Sequence, residues 1–181
     1  MKLRTPLLLA SLATVSLLAL APSSASAGPR VGADVGLAVP TDLKAYSLGS
    51  AANLQLGYEL ELGPLALGPE VYAGYIQLGN GDEGDKAKLY RATAGGRLGF
   101  GSIFRPFVAA HAGWGWRSEG DLKDSALSAD AQLGTDFTLL PILNLGASLG
   151  YTALFRDGNV DSTSEAHLGF VTGSVQAALA F

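Results

Sequence analysis

The chain has 181 residues, 48% hydrophobic and only 15% charged, with 24 glycines, no cysteine and a formal net charge of −4. Without cysteine there is no disulfide scaffold, thiolate metal site, Cys nucleophile or lipidated cysteine anchor. The acidic balance offers no basic stripe to nucleic acid, and the chain is too apolar for disorder.

Residues 1–27 read as a cleaved signal peptide. Lys2 and Arg4 form a positive start, Leu7 to Leu20 an apolar run of 14 residues, and Ala25-Ser26-Ala27 the small residues that a signal peptidase accepts. The run is too short for a membrane helix, which needs about 20 residues. Cleavage after Ala27 leaves residues 28–181, one ordinary domain of 154 residues with 10 basic and 16 acidic side chains.

From Arg30 onward the apolar pattern has period two, which predicts eight strands. In Arg30–Pro40, Val31, Ala33, Val35, Leu37 and Val39 alternate with Gly32, Asp34 and Gly36. In Ala52–Leu62, Leu54, Leu56, Tyr58 and Leu60 alternate with Asn53, Gln55, Gly57, Glu59 and Glu61. In Leu65–Leu78, Leu65, Leu67, Val71, Ala73 and Tyr75 oppose Glu70, Tyr72 and Gly74. Lys88–Phe100 sets Tyr90, Ala92, Ala94 and Leu98 against Arg91, Thr93, Gly95 and Arg97. Arg105–Trp116 sets Val108, Ala110, Ala112, Trp114 and Trp116 against Phe107, His111 and Gly113. Leu127–Leu139, Leu143–Phe155 and Gly169–Phe181 repeat the pattern, with Asp130 and Asp136 on the polar face of the first of these. Three connections are tight: Gly63-Pro64, Gly101 to Phe104, and Leu140 to Ile142. Four are longer and polar: Thr41 to Ser50, Gly79 to Lys86, Arg117 to Ala126, and Arg156 to Ala166. The pattern predicts an all-β fold, an eight-stranded antiparallel up-and-down barrel.

Alternation alone does not say which face points out; a soluble secreted barrel of lipocalin type buries its apolar face, a transmembrane barrel turns it to lipid. Four features favour lipid. The strands run about 11 to 14 residues, against ~5–6 in soluble sheets and ~9–11 within a bilayer. The polar face is crowded with glycine and nearly free of lysine, which suits a narrow lumen rather than a wetted surface. Cations on the strands are arginine, whose planar fork pairs carboxylates bidentately. Aromatic residues collect at both strand ends: Phe100, Phe137 and Phe181 by the short turns, Tyr75, Tyr90, Trp114, Trp116, Tyr151 and Phe155 by the long loops.

With these features the chain resembles the small eight-stranded outer-membrane β-barrel family, the OmpA/OmpX-like group also labelled porin-family or opacity-type. The resemblance spans the mature chain and includes the last strand, Gly169–Phe181, with its terminal aromatic. It implies a Gram-negative outer membrane, both termini in the periplasm and long loops facing outward. It also makes Phe181 an assembly signal read by the outer-membrane assembly machinery. The expected surroundings are outer-membrane lipid and lipopolysaccharide, and the expected state a monomer without cofactor.

The lumen phase carries Asp34, Glu59, Glu61, Glu70, Asp130 and Asp136 with Arg30, Arg91, Arg97, Arg105 and Arg156. Eight strands enclose an interior just wide enough for side chains to fill, and charges there must pair. We expect Glu70 to pair with Arg91 or Arg97, and Glu59, Glu61, Arg97, Arg105 and Asp136 to cluster at the short-turn end. The expected result is a charge plug in a non-enzymatic barrel that serves envelope integrity or surface contact; the alternatives are a lipid A-modifying outer-membrane enzyme, a narrow pore or small-solute transporter, and a soluble secreted lipocalin-like barrel. Some barrels of this family are lipid A-modifying enzymes, one a deacylase with a His-x-Ser pair. Here the residues two after His111 and His167 are Gly113 and Gly169, so no catalytic residue is expected. Asp157-Gly158-Asn159-Val160-Asp161 imitates the start of a calcium loop, but Ser162 and Leu168 stand where glycine and glutamate belong. That loop, and the acidic Asp82, Glu83 and Asp85, are read as solvated, with no protein metal site.

Overall fold

The computed structural model describes residues 26–41, 46–80, 86–119, 122–155 and 167–181. Eight strands account for nearly all of them. These are β1 (Ser26–Pro40), β2 (Tyr46–Leu62), β3 (Leu65–Asn80), β4 (Ala87–Phe100), β5 (Phe104–Glu119), β6 (Leu122–Leu140), β7 (Leu143–Phe155) and β8 (His167–Ala180). Each pairs antiparallel with the next, and β1 pairs with β8, so the sheet closes into a barrel with no free edge. None of the described segments is a helix able to cross a membrane.

A walk straight across the ladder fixes the shear. From Val31 it passes Leu56, Val71, Ala94, Ala112, Ala129, Ala153 and Gly169, then returns to the first strand at Thr41, ten residues beyond its start. Such a stagger tilts the strands by roughly 40°. Tyr90 and Phe100 mark the two aromatic levels on β4 and are ten residues apart. At about 3.3 Å per residue and that tilt, the apolar band is about 25 Å tall, the height of a transmembrane barrel's lipid-facing belt.

The orientation is unambiguous. Leu56, Val108, Leu133 and Leu149 face outward at 54–61% exposure, whereas Glu70 and Arg91 are 5% and 4% exposed and face the lumen. Phe100, Phe137 and Phe181 are exposed at the short-turn end, and Tyr90, Trp114, Trp116, Tyr151 and Phe155 at the other. Tyr75 is half-buried, its ring 5.1 Å from that of Tyr90.

Boundaries differ from the sequence expectation in three places. β1 starts at Ser26 rather than Arg30, ahead of the expected cleavage after Ala27, and Ser26 is in register with Glu61. β2 starts at Tyr46 rather than Ala52, with a bulge between Ser47 and Ser50 against β3. The extra residue reverses the in–out phase, so Tyr46 is buried although the later lumen positions of β2 are odd-numbered. The segment Arg117–Ala126 is mostly strand: β5 and β6 stay in register up to Glu119 and Leu122. The turns at Gly63-Pro64, Gly101–Ile103 and Pro141-Ile142 lie where expected; Gly63 and Gly101 have φ of 65° and 116°, values that disfavour any side chain.

Candidate functional site

The lumen is built in layers. At the short-turn mouth, β2 brings Glu59 and Glu61 opposite Arg105 of β5. Arg105 donates to Glu59 and, at 2.7 Å, to Glu61, while its Nε donates to the Gly101 carbonyl at 3.1 Å. Gly99 makes room: a Cβ there would come within 2.9 Å of the Arg105 side chain.

The next layer centres on Asp136 of β6. Its Oδ2 accepts from Arg30 Nη2 at 3.1 Å and Arg97 Nη2 at 2.5 Å, and its Oδ1 from Gln176 Nε2 at 2.5 Å. Four strands thus converge on one carboxylate that is 2% exposed. Arg30 Nη1 also lies 3.8 Å from Glu59 Oε2, linking the two layers. The Arg97 guanidinium lies 3.4 Å over the Phe107 ring, a cation–π contact that sequence pattern cannot reveal.

The third layer is a chain of polar groups across the barrel. Glu70 Oε2 is 3.4 Å from His111 Nε2, and His111 Nδ1 is 2.9 Å from Asp130 Oδ1. Arg91 Nη1 donates to Asp130 Oδ2 at 3.2 Å and to Thr152 Oγ1 at 3.0 Å, and its Nη2 to Asn53 Oδ1 at 3.2 Å. Asn53 Nδ2 in turn donates to Asp34 Oδ1 at 2.6 Å. The Tyr72 ring is tilted against His111 at 4.5 Å, and its hydroxyl donates to Gln55 at 2.9 Å.

Side-chain exposure falls steadily along this path. It is 43% at Glu61, about a tenth at Glu59 and Arg105, 5% at Arg97, 2% at Asp136 and 0–1% at His111 and Asp130. Water therefore reaches the polar groups from the short-turn end and is progressively excluded toward the loops. Above His111 the lumen changes character. Ala38, Tyr46, Ala51, Ile76, Leu78, Ala87, Leu89, Leu154 and Phe170 form one buried apolar cluster, with Ile76 and Phe170 fully buried.

The expected pairing partners are partly redistributed. Glu70 lies 3.8 Å from Arg97 Nε, but Arg91 turns to Asp130 rather than to Glu70. Arg97 and Asp136 sit one layer above Glu59, Glu61 and Arg105 and join them through Arg30. Gln176, Asn53 and Thr152 complete the network as neutral partners, and an apolar cap, which the sequence reading did not single out, closes the loop end above the charges. The signal was present: Ile76, Leu78, Leu89, Leu154 and Phe170 occupy the lumen phase of their strands. Arg156, the loop 157–161 and Asp82, Glu83 and Asp85 lie outside the described residues. Phe181 is 64% exposed, and its backbone N–H donates to the Pro29 carbonyl at 3.1 Å, which ties the end of β8 to β1.

The sequence matches the family of outer membrane protein β-barrel domains over residues 7–172. No curated protein matches the chain. Among solved structures, Neisserial surface protein A is similar at a TM-score of 0.65 and 18% identity, over 88% of this chain and 100% of that one. The outer membrane enzyme PagL is similar at 0.54 and 18%, over 84% and 99%. The N-terminal β-barrel domain of Pseudomonas aeruginosa OprF is similar at 0.50 and 13%, over 86% and 100%. At these identities the likeness is one of fold.

Proposed function

This chain belongs to the family of outer membrane protein β-barrel domains, and on that premise we propose that it is a plugged, non-enzymatic barrel of the outer membrane, serving envelope integrity or surface contact through its loop end. Such a barrel spans the bilayer with its strands, apolar side out. One observation carries the reading of a plug: the lumen is filled twice over. The ion-pair layers leave His111 and Asp130 at 0–1% side-chain exposure, and the apolar cluster at Ile76 and Phe170 closes the loop end above them. An ion entering from the short-turn mouth meets paired charges, then a dry apolar constriction. In planar bilayers the purified barrel is expected to give no discrete conductance steps; steady ohmic openings at low voltage would refute the plug.

The non-enzymatic reading is supported by the same geometry. His111 points into the lumen, buried against Tyr72, Glu70 and Asp130, and no lipid in the surrounding bilayer reaches it. A general acid or base acting on a lipid must lie within hydrogen-bond reach of its substrate, which His111 in the closed lumen does not. Lipid A from cells with and without the protein is expected to give identical mass spectra.

Export and assembly follow from the same premise. Removal of residues 1–27 yields a mature chain starting at Gly28, which N-terminal sequencing of the membrane-extracted protein checks. Phe181, exposed beside the closing seam, presents an aromatic side chain to the assembly machinery. Lipid and lipopolysaccharide are the surroundings of the outward face, and the monomer is its unit.

A further inference from the structure

The lipid-facing side of the barrel is not the same all round. On β4 the outward positions nearest the loop end are Lys88 and Tyr90, with Leu89 between them buried at 4%. Lys86 precedes them in the same phase, and both lysines are exposed. In register across β3, β4 and β5 lie Tyr75, Tyr90 and Trp116. One step further out, Lys88 is in register with Gln77 on one side and Ser118 on the other, and Ser118 with Lys123. Beside this column opens a recess of about 400 Å³ lined by Tyr90, Trp116, Arg117, Ser118, Asp124 and Ser125. Asp124 contributes a negative charge there, in register with Arg117. Across the barrel, the described outward positions of β1, β2, β7 and β8 carry no lysine or arginine. The described lysines, Lys86, Lys88 and Lys123, belong to the loop half of their hairpins.

Aromatic rings at this level mark the boundary between acyl chains and headgroups. At about 3.3 Å per residue along tilted strands, the Lys88 backbone lies roughly 5 Å above Tyr90 and that of Lys86 roughly 10 Å. That is the depth of lipid phosphates, and lysine is a compact cation suited to them. We propose that the β4–β5 flank, through Lys86 and Lys88 above the Tyr90–Trp116 platform, binds the phosphate groups of a phosphorylated lipid in the outer leaflet. The acyl chains lie along the apolar wall below, and the phosphate meets the ammonium groups. The described outward positions of the opposite flank carry no such cation, so the headgroup docks on the β4–β5 side. The inference rests on the outer-membrane reading and not on the plugged lumen.

The chain contains only two tryptophans, and Trp116 lines the recess. The full barrel carrying Trp114→Phe, refolded in a maltoside detergent, is titrated with diphosphoryl lipid A while Trp116 emission is followed. A saturable change is expected. Lys86→Gln with Lys88→Gln is expected to raise the half-saturation concentration roughly 30-fold, since each cation near a charged lipid surface is worth about 1 kcal/mol. Lys44→Gln is expected to shift it less than three-fold. Heat-modifiable gel migration confirms that each variant is folded, and bilayer conductance tests the plug independently. The proposal is overturned if the double variant titrates like the parent, or if dephosphorylated lipid A binds equally well. It is overturned too if Lys44→Gln weakens binding as much as the double variant, or if inorganic phosphate alone reproduces the change.

Discussion

Asp136→Ala is the sharpest probe of the lumen. Asp136 accepts two guanidinium bonds, from Arg30 at 3.1 Å and Arg97 at 2.5 Å, and one amide bond from Gln176 at 2.5 Å. Breaking a buried pair from one side costs about 3–5 kcal/mol, because the surviving charge stays desolvated. Here two charges survive, but each keeps a second carboxylate at 3.8 Å: Glu59 for Arg30 and Glu70 for Arg97. The loss is therefore expected near the lower bound, about 3 kcal/mol. Asp136→Asn keeps the shape and one acceptor while removing the charge assistance, which roughly halves such bonds; about 1.5 kcal/mol is expected. Urea unfolding of the barrel in lipid vesicles, read by tryptophan emission and gel migration, measures both. Arg97→Met in the Asp136→Ala background removes one stranded charge, so the double variant is expected to be at least 1 kcal/mol more stable than the sum of the single changes. If Asp136→Ala lies within about 0.5 kcal/mol of the parent, as surface changes do, the charges are not held as described.

The remaining predictions compare positions within the same fold. Arg91→Ala is expected to destabilise more than Glu70→Gln in the same urea titration, because Arg91 makes three hydrogen bonds whereas neither oxygen of Glu70 is hydrogen-bonded. Gly95→Ala is expected to prevent folding, its Cβ falling 1.9 Å from the Ala110 carbonyl, while Gly96→Ala, whose only near atom is 3.6 Å away, refolds with parental yield. Phe170→Ala with Ile76→Ala opens the loop-end cap, yet no conductance is expected until Asp136→Ala or Arg91→Ala loosens the layers beneath. Phe181→Ala is expected to lower the amount of heat-modifiable barrel in cells several-fold while refolding of the purified chain in detergent proceeds, which separates assembly from stability.

Much of this architecture could be read from residues alone, for a physical reason. Where one face meets lipid and the other a crowded polar lumen, alternation is enforced, and β1, β4 and β5 show it plainly. The polar-in, apolar-out contrast is lost where the lumen face itself turns apolar, at Ile76, Leu78, Leu89, Leu154 and Phe170, so the cap is not visible as a unit in the sequence. It also faded where both faces meet water: the Ser, Asp and Gly of Arg117–Ala126 resemble a loop, although the ladder continues through most of them. The individual ion pairs depend on the ten-residue stagger, which decides that Arg91 meets Asp130 across the lumen rather than Glu70 on the next strand. No local pattern encodes that offset. The bulge near Ser47 is similarly silent, since one added residue changes the phase without changing composition.

Closure of the sheet has a consequence for how the molecule comes into being. β1 and β8 meet over eleven register pairs, Arg30 with Ala180 through Pro40 with Phe170, and Asp34 lies opposite Gln176. Bringing such distant segments together costs only about 4 kcal/mol of chain entropy, because that penalty grows with the logarithm of separation. Leaving them apart inside hydrocarbon strands two rows of amides and carbonyls, at several kcal/mol for each group. A seven-strand precursor is thus not a weaker version of the finished cylinder but a species the bilayer rejects. Some other surface must shelter both raw margins until the last strand docks and seals the wall.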